Sequence, residues 1–119
     1  ARGRRKYVRA RAADDSRTGF NVEIGGKKHN GRILDISSVG MAVRFEGPVE
    51  IAPKSALPRI QLRLRATLVT VDGVMLGRRD DDVSVHVILF RHKQESRAKR
   101  QIREYVNRAL QEYIDKLLE

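Results

Sequence analysis

At 119 residues the chain has room for one domain with a modest core, and 40% hydrophobic against 34% charged residues excludes outright disorder. It holds no cysteine, which rules out disulfides, thiolate metal sites and cysteine nucleophiles and suits a reducing cytoplasm. No apolar run approaches the roughly 18 residues needed to span a membrane, so no insertion is expected, and no hydrophobic signal core follows the basic N-terminus. The net charge is +10, and residues 1–11 carry Arg2, Arg4, Arg5, Lys6, Arg9 and Arg11 with no acid. Such a field draws anions (nucleotide, nucleic acid or anionic lipid), unless it is only a solvated arm. The chain opens on Ala1 rather than Met, which points to a processed chain or a fragment of a longer protein.

Taken in chain order, residues 19–24 read as a strand, with Phe20, Val22 and Ile24 on alternate positions. Gly25-Gly26 and Asn30-Gly31 are both turn signals. A second strand is expected over 32–36 and a third from Met41 to Phe45, with Asp35-Ile36-Ser37-Ser38-Val39-Gly40 turning the chain around the gap. Residues 51–58 contain two prolines and read as loop. The run 60–71 alternates Ile60, Leu62 and Leu64 with Gln61, Arg63 and Arg65, then blurs at Leu68-Val69, which suggests a bulge or a strand buried on both faces. Asp72-Gly73 predicts a hairpin before a strand at 74–79. Asp80-Asp81-Asp82 is an exposed turn, and 83–90 is the last strand. From Gln94 the period changes: Ile102, Tyr105, Val106, Ala109, Leu110, Tyr113, Ile114 and Leu117 form the apolar stripe of an amphipathic helix six or seven turns long.

The expected fold is therefore mainly β: a six-stranded antiparallel β-barrel, which hides one face of every strand and leaves no open edge, closed by a C-terminal α-helix. Residues 1–16 form a basic arginine arm, 17–93 the barrel and 94–119 the helix, all one domain. The helix either plugs the barrel or pairs with another subunit, so monomer and homodimer both stay open.

Nothing in the sequence assembles an enzyme. His29, His86 and His92 lack the spacing of a helical metal pair and have no adjacent Glu. Asp80, Asp81 and Asp82 are neighbours that point to opposite faces of extended chain, a poor cage for one cation. No phosphate-cradling glycine loop or nucleophile elbow is present, so no catalytic residue, metal or cofactor is expected. Two other features carry chemistry. Arg5 and Arg9, four apart in the arm with Arg4 beside them, present planar guanidinium forks that suit phosphate, the O6/N7 edge of guanine, or stacking on a base. Asp35 and Ser37 are two apart on a strand and share a face. Either they cap their own turn, or Asp35 accepts from the N1–H and N2–H₂ edge of a guanine while Ser37 supplies a hydroxyl. Gly40 lets the backbone approach a neighbour closely or takes a positive φ.

The ordered pair Arg5-x-x-x-Arg9 and Asp35-x-Ser37-x-x-Gly40, with the Gly-Met-Ala-Val continuation, β-hairpins and a final helix, resembles the PilZ family across essentially the whole chain. The resemblance implies a bacterial receptor for cyclic di-GMP (c-di-GMP), in which the arm closes over a ligand held on the barrel surface. Carried over, Arg5 and Arg9 hold phosphate and guanine, Asp35 reads a guanine edge, and Ser37 and Gly40 line the pocket. Arg4, just before the motif, favours an intercalated pair of ligands over a single one. The same resemblance implies a downstream protein partner or fused upstream domain, with motility, adhesion or biofilm polysaccharide as output. The competing expectations are a nucleic-acid-binding barrel, which needs exposed aromatic platforms that this Trp-free chain is short of, and a ligand-independent protein adaptor.

Overall fold

The computed structural model describes residues 9–12, 16–92 and 96–118. It contains β1 (Ala10–Arg11), β2 (Thr18–Ile24), β3 (Lys27–Ile36), β4 (Gly40–Phe45), β5 (Ala56–Leu64), β6 (Thr67–Arg78), β7 (His86–Arg91) and the helix α1 (Arg97–Leu117). The sheet order is β1-β3-β2-β5-β6-β7-β4, and a further β3–β4 pairing closes six strands into an antiparallel barrel. This is the expected architecture with one addition. The root of the arm is itself a strand: β1 pairs with the end of β3, Ala10 opposite Ile36 and Arg11 opposite Asp35.

Alternation decides what faces inward. Phe20 and Val22 of β2, Ile33 and Ile36 of β3, Met41 and Val43 of β4, Ile60, Leu62 and Leu64 of β5, Val69 and Met75 of β6, and Ile88 of β7 are all at most 5% exposed. At one end the Phe20 and Phe45 rings meet edge to face at 5.2 Å, and His86 stands edge-on to Phe45 at the same distance.

Several boundaries differ from expectation. Gly25-Gly26 does turn between β2 and β3, both at positive φ, but Asn30-Gly31 lies inside β3. A Cβ on Gly31 would come within 2.5 Å of the Phe20 ring, so the glycine makes room for packing rather than for a turn. The run 60–71 is two strands, not one. The chain reverses at Arg65-Ala66, with Arg65 at φ 63, and Asp72-Gly73 falls within β6. There Asp72 Oδ1 accepts from Arg59 N at 2.8 Å, and Gly73 leaves space for Ile60 and the Leu89 carbonyl. Pro58, read as loop, sits in β5 between Leu57 and Ile60, where the register with β6 shifts and no ladder donor is needed. The strand expected at 83–90 begins only at His86.

Ser96 caps α1, its hydroxyl accepting from Lys99 N at 3.1 Å. The helix packs against β6 and β1. Arg65 secures it to the β5–β6 turn through two hydrogen bonds to Glu112, at 2.9 and 2.8 Å, and by lying 5.5 Å from the Tyr105 ring centre. Those contacts offset the left-handed backbone of a non-glycine residue.

Candidate functional site

Of the six sequence-derived site residues, Arg4 and Arg5 lie outside the described residues. The other four gather where β1, β3 and β4 meet. Arg9 precedes β1, and the β1–β3 pairing places it beside the end of β3. There its Nη1 lies 3.4 Å from Asp35 Oδ1, with both side chains partly exposed. A register shift between Ile33 and Asp35 re-aims the end of β3 at this point.

Ser37 behaves differently from Asp35. It is 2% exposed, its Oγ accepts from Val39 N at 3.2 Å, and it lies 3.5 Å from the Gly40 carbonyl that also accepts from Ser37 N at 2.9 Å. The hydroxyl thus shapes the turn, the self-capping arrangement weighed from the sequence. Gly40 does not take a positive φ. A Cβ there would stand 2.6 Å from the Ile88 carbonyl, so the close approach this glycine permits is to β7. The turn is also tied to β7 from outside: Phe90 N donates to Val39 O at 2.8 Å, and His92 Nε2 lies 2.8 Å from Ser38 O.

The acidic triplet is a buttress rather than a cage. Arg79 donates from Nε and Nη2 to the two oxygens of Asp81 at 3.0 and 2.7 Å. Arg44 Nη2 donates to Asp82 Oδ2 at 3.2 Å, and Asp82 Oδ1 accepts from Ser84 N and Oγ. The Ser84 hydroxyl and amide hold the Asp82 carboxyl below its usual range, with Arg44 adding to the effect; the bond from Arg79 does the same for Asp81. Arg44 and Arg79 escaped the sequence reading because the triplet was weighed only as an exposed turn and as a cation site. The signal was the presence of arginines two residues before one acid and across the sheet from another. Among the described residues no three His, Asp or Glu side chains cluster as metal ligands, and no helix is long and apolar enough to cross a membrane.

The comparisons agree with this frame. A family model described as "PilZ domain" matches residues 3–108, and the chain belongs to the PilZ domain family. The PilZ domain of YcgR from Escherichia coli, solved with c-di-GMP, superposes with a TM-score of 0.74 at 18% identity, covering 98% of this chain and 99% of that one. MrkH from K. pneumonia, solved as a c-di-GMP complex, gives 0.67 at 20% identity over 97% of this chain and 54% of its own. The Bacillus subtilis inhibitor of motility MotI/DgrA gives 0.69 at 16% identity over 92% and 52%. This chain thus spans about half the length of the latter two. No curated protein sequence matches it.

Proposed function

We propose that the chain is a cytoplasmic c-di-GMP receptor rather than an enzyme. The observation that carries this reading is the meeting of Arg9 and Asp35 at 3.4 Å, beside the Ser37–Gly40 turn, in a chain of the PilZ family. A cyclic dinucleotide brings two phosphates and two guanines, and so calls for guanidinium and carboxylate together. Arg9 and Arg5 take phosphate and guanine O6/N7, and Asp35 accepts from the guanine N1–H and N2–H₂ edge. Ser37 and Gly40 contribute by holding the turn tight against β7, and Arg4 favours a second, stacked ligand. The partly exposed Arg9–Asp35 pair is worth about 1 kcal/mol or less. Ligand bonds to charged groups return roughly 1.5–3 kcal/mol each, so the ligand exchanges into the pair at small cost, and the arm closes as it does so.

The structural relatives named above with c-di-GMP support the assignment. The nucleic-acid alternative loses its phenylalanine platforms, since Phe20, Phe45 and Phe90 are all at most 9% exposed, and among the described residues Tyr113 on the helix is left as a lone exposed aromatic ring. The test is calorimetric titration of c-di-GMP into the protein, with GMP and cyclic di-AMP as controls. Saturable, guanine-selective binding is expected, weakened at least tenfold by Arg9→Ala, Arg5→Ala or Asp35→Ala. Absence of saturation with the folded protein, or wild-type affinity in the Arg9 variant, overturns the reading.

A further inference from the structure

The barrel wall made by β3, β2 and β5 lies across from β7 and carries a different chemistry from the signature turn. Alternation sends Asn30 and Arg32 of β3, Asn21 of β2, and Gln61 and Arg63 of β5 to the outer surface. Register then lines them up. Asn30, Asn21 and Gln61 stand side by side across three strands, and one step along β2 Gly19 stands beside Arg63, with Arg32 on its other flank. Together they border an open cleft of about 640 Å³. Glu46, whose N–H donates to the Asn30 carbonyl, marks one edge, and Leu68, the partner of Arg63 on β6, marks the other.

Gly19 leaves the floor of this cleft bare. It does not take a positive φ, and a Cβ there would meet nothing closer than the Gly31 carbonyl at 3.4 Å and Arg63 Nη2 at 3.9 Å, so the Arg63 guanidinium lies against the gap. Among the described residues no acceptor pairs with the Arg63 side chain, whereas Arg44, Arg65 and Arg79 are each held by a carboxylate. A guanidinium fork beside bare backbone suits one carboxylate, gripped through two parallel hydrogen bonds. The rest of the cleft is amide. Each carboxamide offers donors and an acceptor, the same groups a peptide backbone shows. Three strands at about 4.8 Å spacing make a row about 10 Å long, the reach of three residues of extended peptide. A phosphodiester chain answers only the donors of such a row, and Glu46 repels it. No exposed aromatic ring lines the cleft for a base, since Phe20 beneath it is 5% exposed. Leu68, 70% exposed, offers an apolar step at one end.

We propose that this cleft docks an extended acidic segment of a partner protein. A carboxylate of the segment sits over Gly19 on Arg63, its backbone pairs with the carboxamides of Asn30, Asn21 and Gln61, and an apolar side chain rests on Leu68. The net charge of +10 draws such a partner in from a distance. The proposal does not depend on the c-di-GMP reading. The cleft shares β3 with the signature turn but is built on β2 and β5, so either site can be occupied without the other.

The experiment is NMR titration of the isotope-labelled protein with a capped octapeptide of aspartate and serine carrying one central leucine. Its other arms are the same peptide with lysine in place of aspartate, octathymidylate, and the Arg63→Glu, Gln61→Ala and Arg91→Glu variants, each with a thermal melt. The acidic peptide is expected to shift the side-chain amides of Asn21, Asn30 and Gln61 and the Arg63 Nε resonance, and to leave the exposed Asn107 amide on α1 unmoved. Loss of the carboxylate grip predicts about tenfold weaker binding for Arg63→Glu and a few-fold loss for Gln61→Ala. Arg91→Glu makes the same charge change on the far side of the barrel and is expected to stay within about twofold of the wild type, with melting temperatures unchanged throughout. Wild-type affinity in Arg63→Glu, or an absence of shifts up to millimolar peptide, overturns the site. Equal losses in Arg63→Glu and Arg91→Glu overturn it by showing attraction to net charge alone. Equal binding of the lysine peptide overturns the carboxylate grip, and tighter binding of octathymidylate at the same resonances makes the cleft a nucleic-acid surface instead. The c-di-GMP titration is read separately, and its failure leaves the cleft in place.

Discussion

His86 shows how far one side chain can depart from its apparent chemistry. It is 7% exposed, edge-on to Phe45, and its Nδ1 is buried with no hydrogen-bond partner among the described residues. Burial, helped by Arg78, pushes its pKa below 6.5. The unfolded chain therefore takes up a proton below pH 6.5 that the folded chain refuses, and stability falls as pH drops through 6.5 toward the lower folded value. Above pH 6.5 the residue is neutral in both states and contributes no slope. Urea denaturation at pH 7.5 and 5.5 is expected to show this loss in the wild type and a smaller one in His86→Phe. Equal losses in the two proteins would assign the acid sensitivity to other groups. Gly40 and Ser37 teach a related lesson. Both belong to the recognised pattern, yet what the structure displays of each is packing against β7 and capping of a turn. A motif residue need not be a contact residue.

The elements divide into those whose pattern is local and those set by neighbours. In α1, Ile102, Tyr105 and Val106 are buried, whereas Tyr113, Ile114, Leu117 and Leu118 are 46–80% exposed. One continuous apolar stripe thus has two halves of different standing. Ile102→Ala is expected to cost about 2–5 kcal/mol, while removal of residues 114–119, which spares the Arg65–Glu112 bonds, should cost under about 1 kcal/mol. Chemical denaturation of the two variants reads the difference, and comparable losses would mean that the distal half is packed in solution. The stripe was legible because helix period is a local property. So were β2, β4 and the Gly25-Gly26 turn, where alternation and turn residues agree. Asn30-Gly31 and Asp72-Gly73 misled because a glycine demanded by a cross-strand neighbour has the same letter as one demanded by a turn. The signature half-motifs were legible, but the Arg9–Asp35 contact was not, because it depends on the pairing of β1 with β3. Arg79 and Arg44 were not, because their placement depends on the pairing of β6 and β4 with β7, which no local pattern encodes.

At the scale of the molecule the decisive feature is the position of the signature turn. It links β3 to β4, but its carbonyls at Val39 and Ser38 are held by Phe90 and His92, at the end of the last strand, and Gly40 pairs with Leu89. Pairings of such separation, β4 with β7 and β2 with β5, form slowly, since chain entropy is lost before the contacts reward it. The turn takes its final form only when β7 docks. On the proposed function, c-di-GMP therefore has nothing to grip in the transition state if β7 docks late. Stopped-flow experiments are expected to show refolding at the same rate with and without saturating c-di-GMP, and unfolding slowed in proportion to ligand occupancy. Faster refolding with ligand would mean that the turn forms early. If the chain is the receptor proposed above, its lifetime rather than its rate of birth is set by the ligand: occupied copies persist, and empty ones turn over at their intrinsic pace.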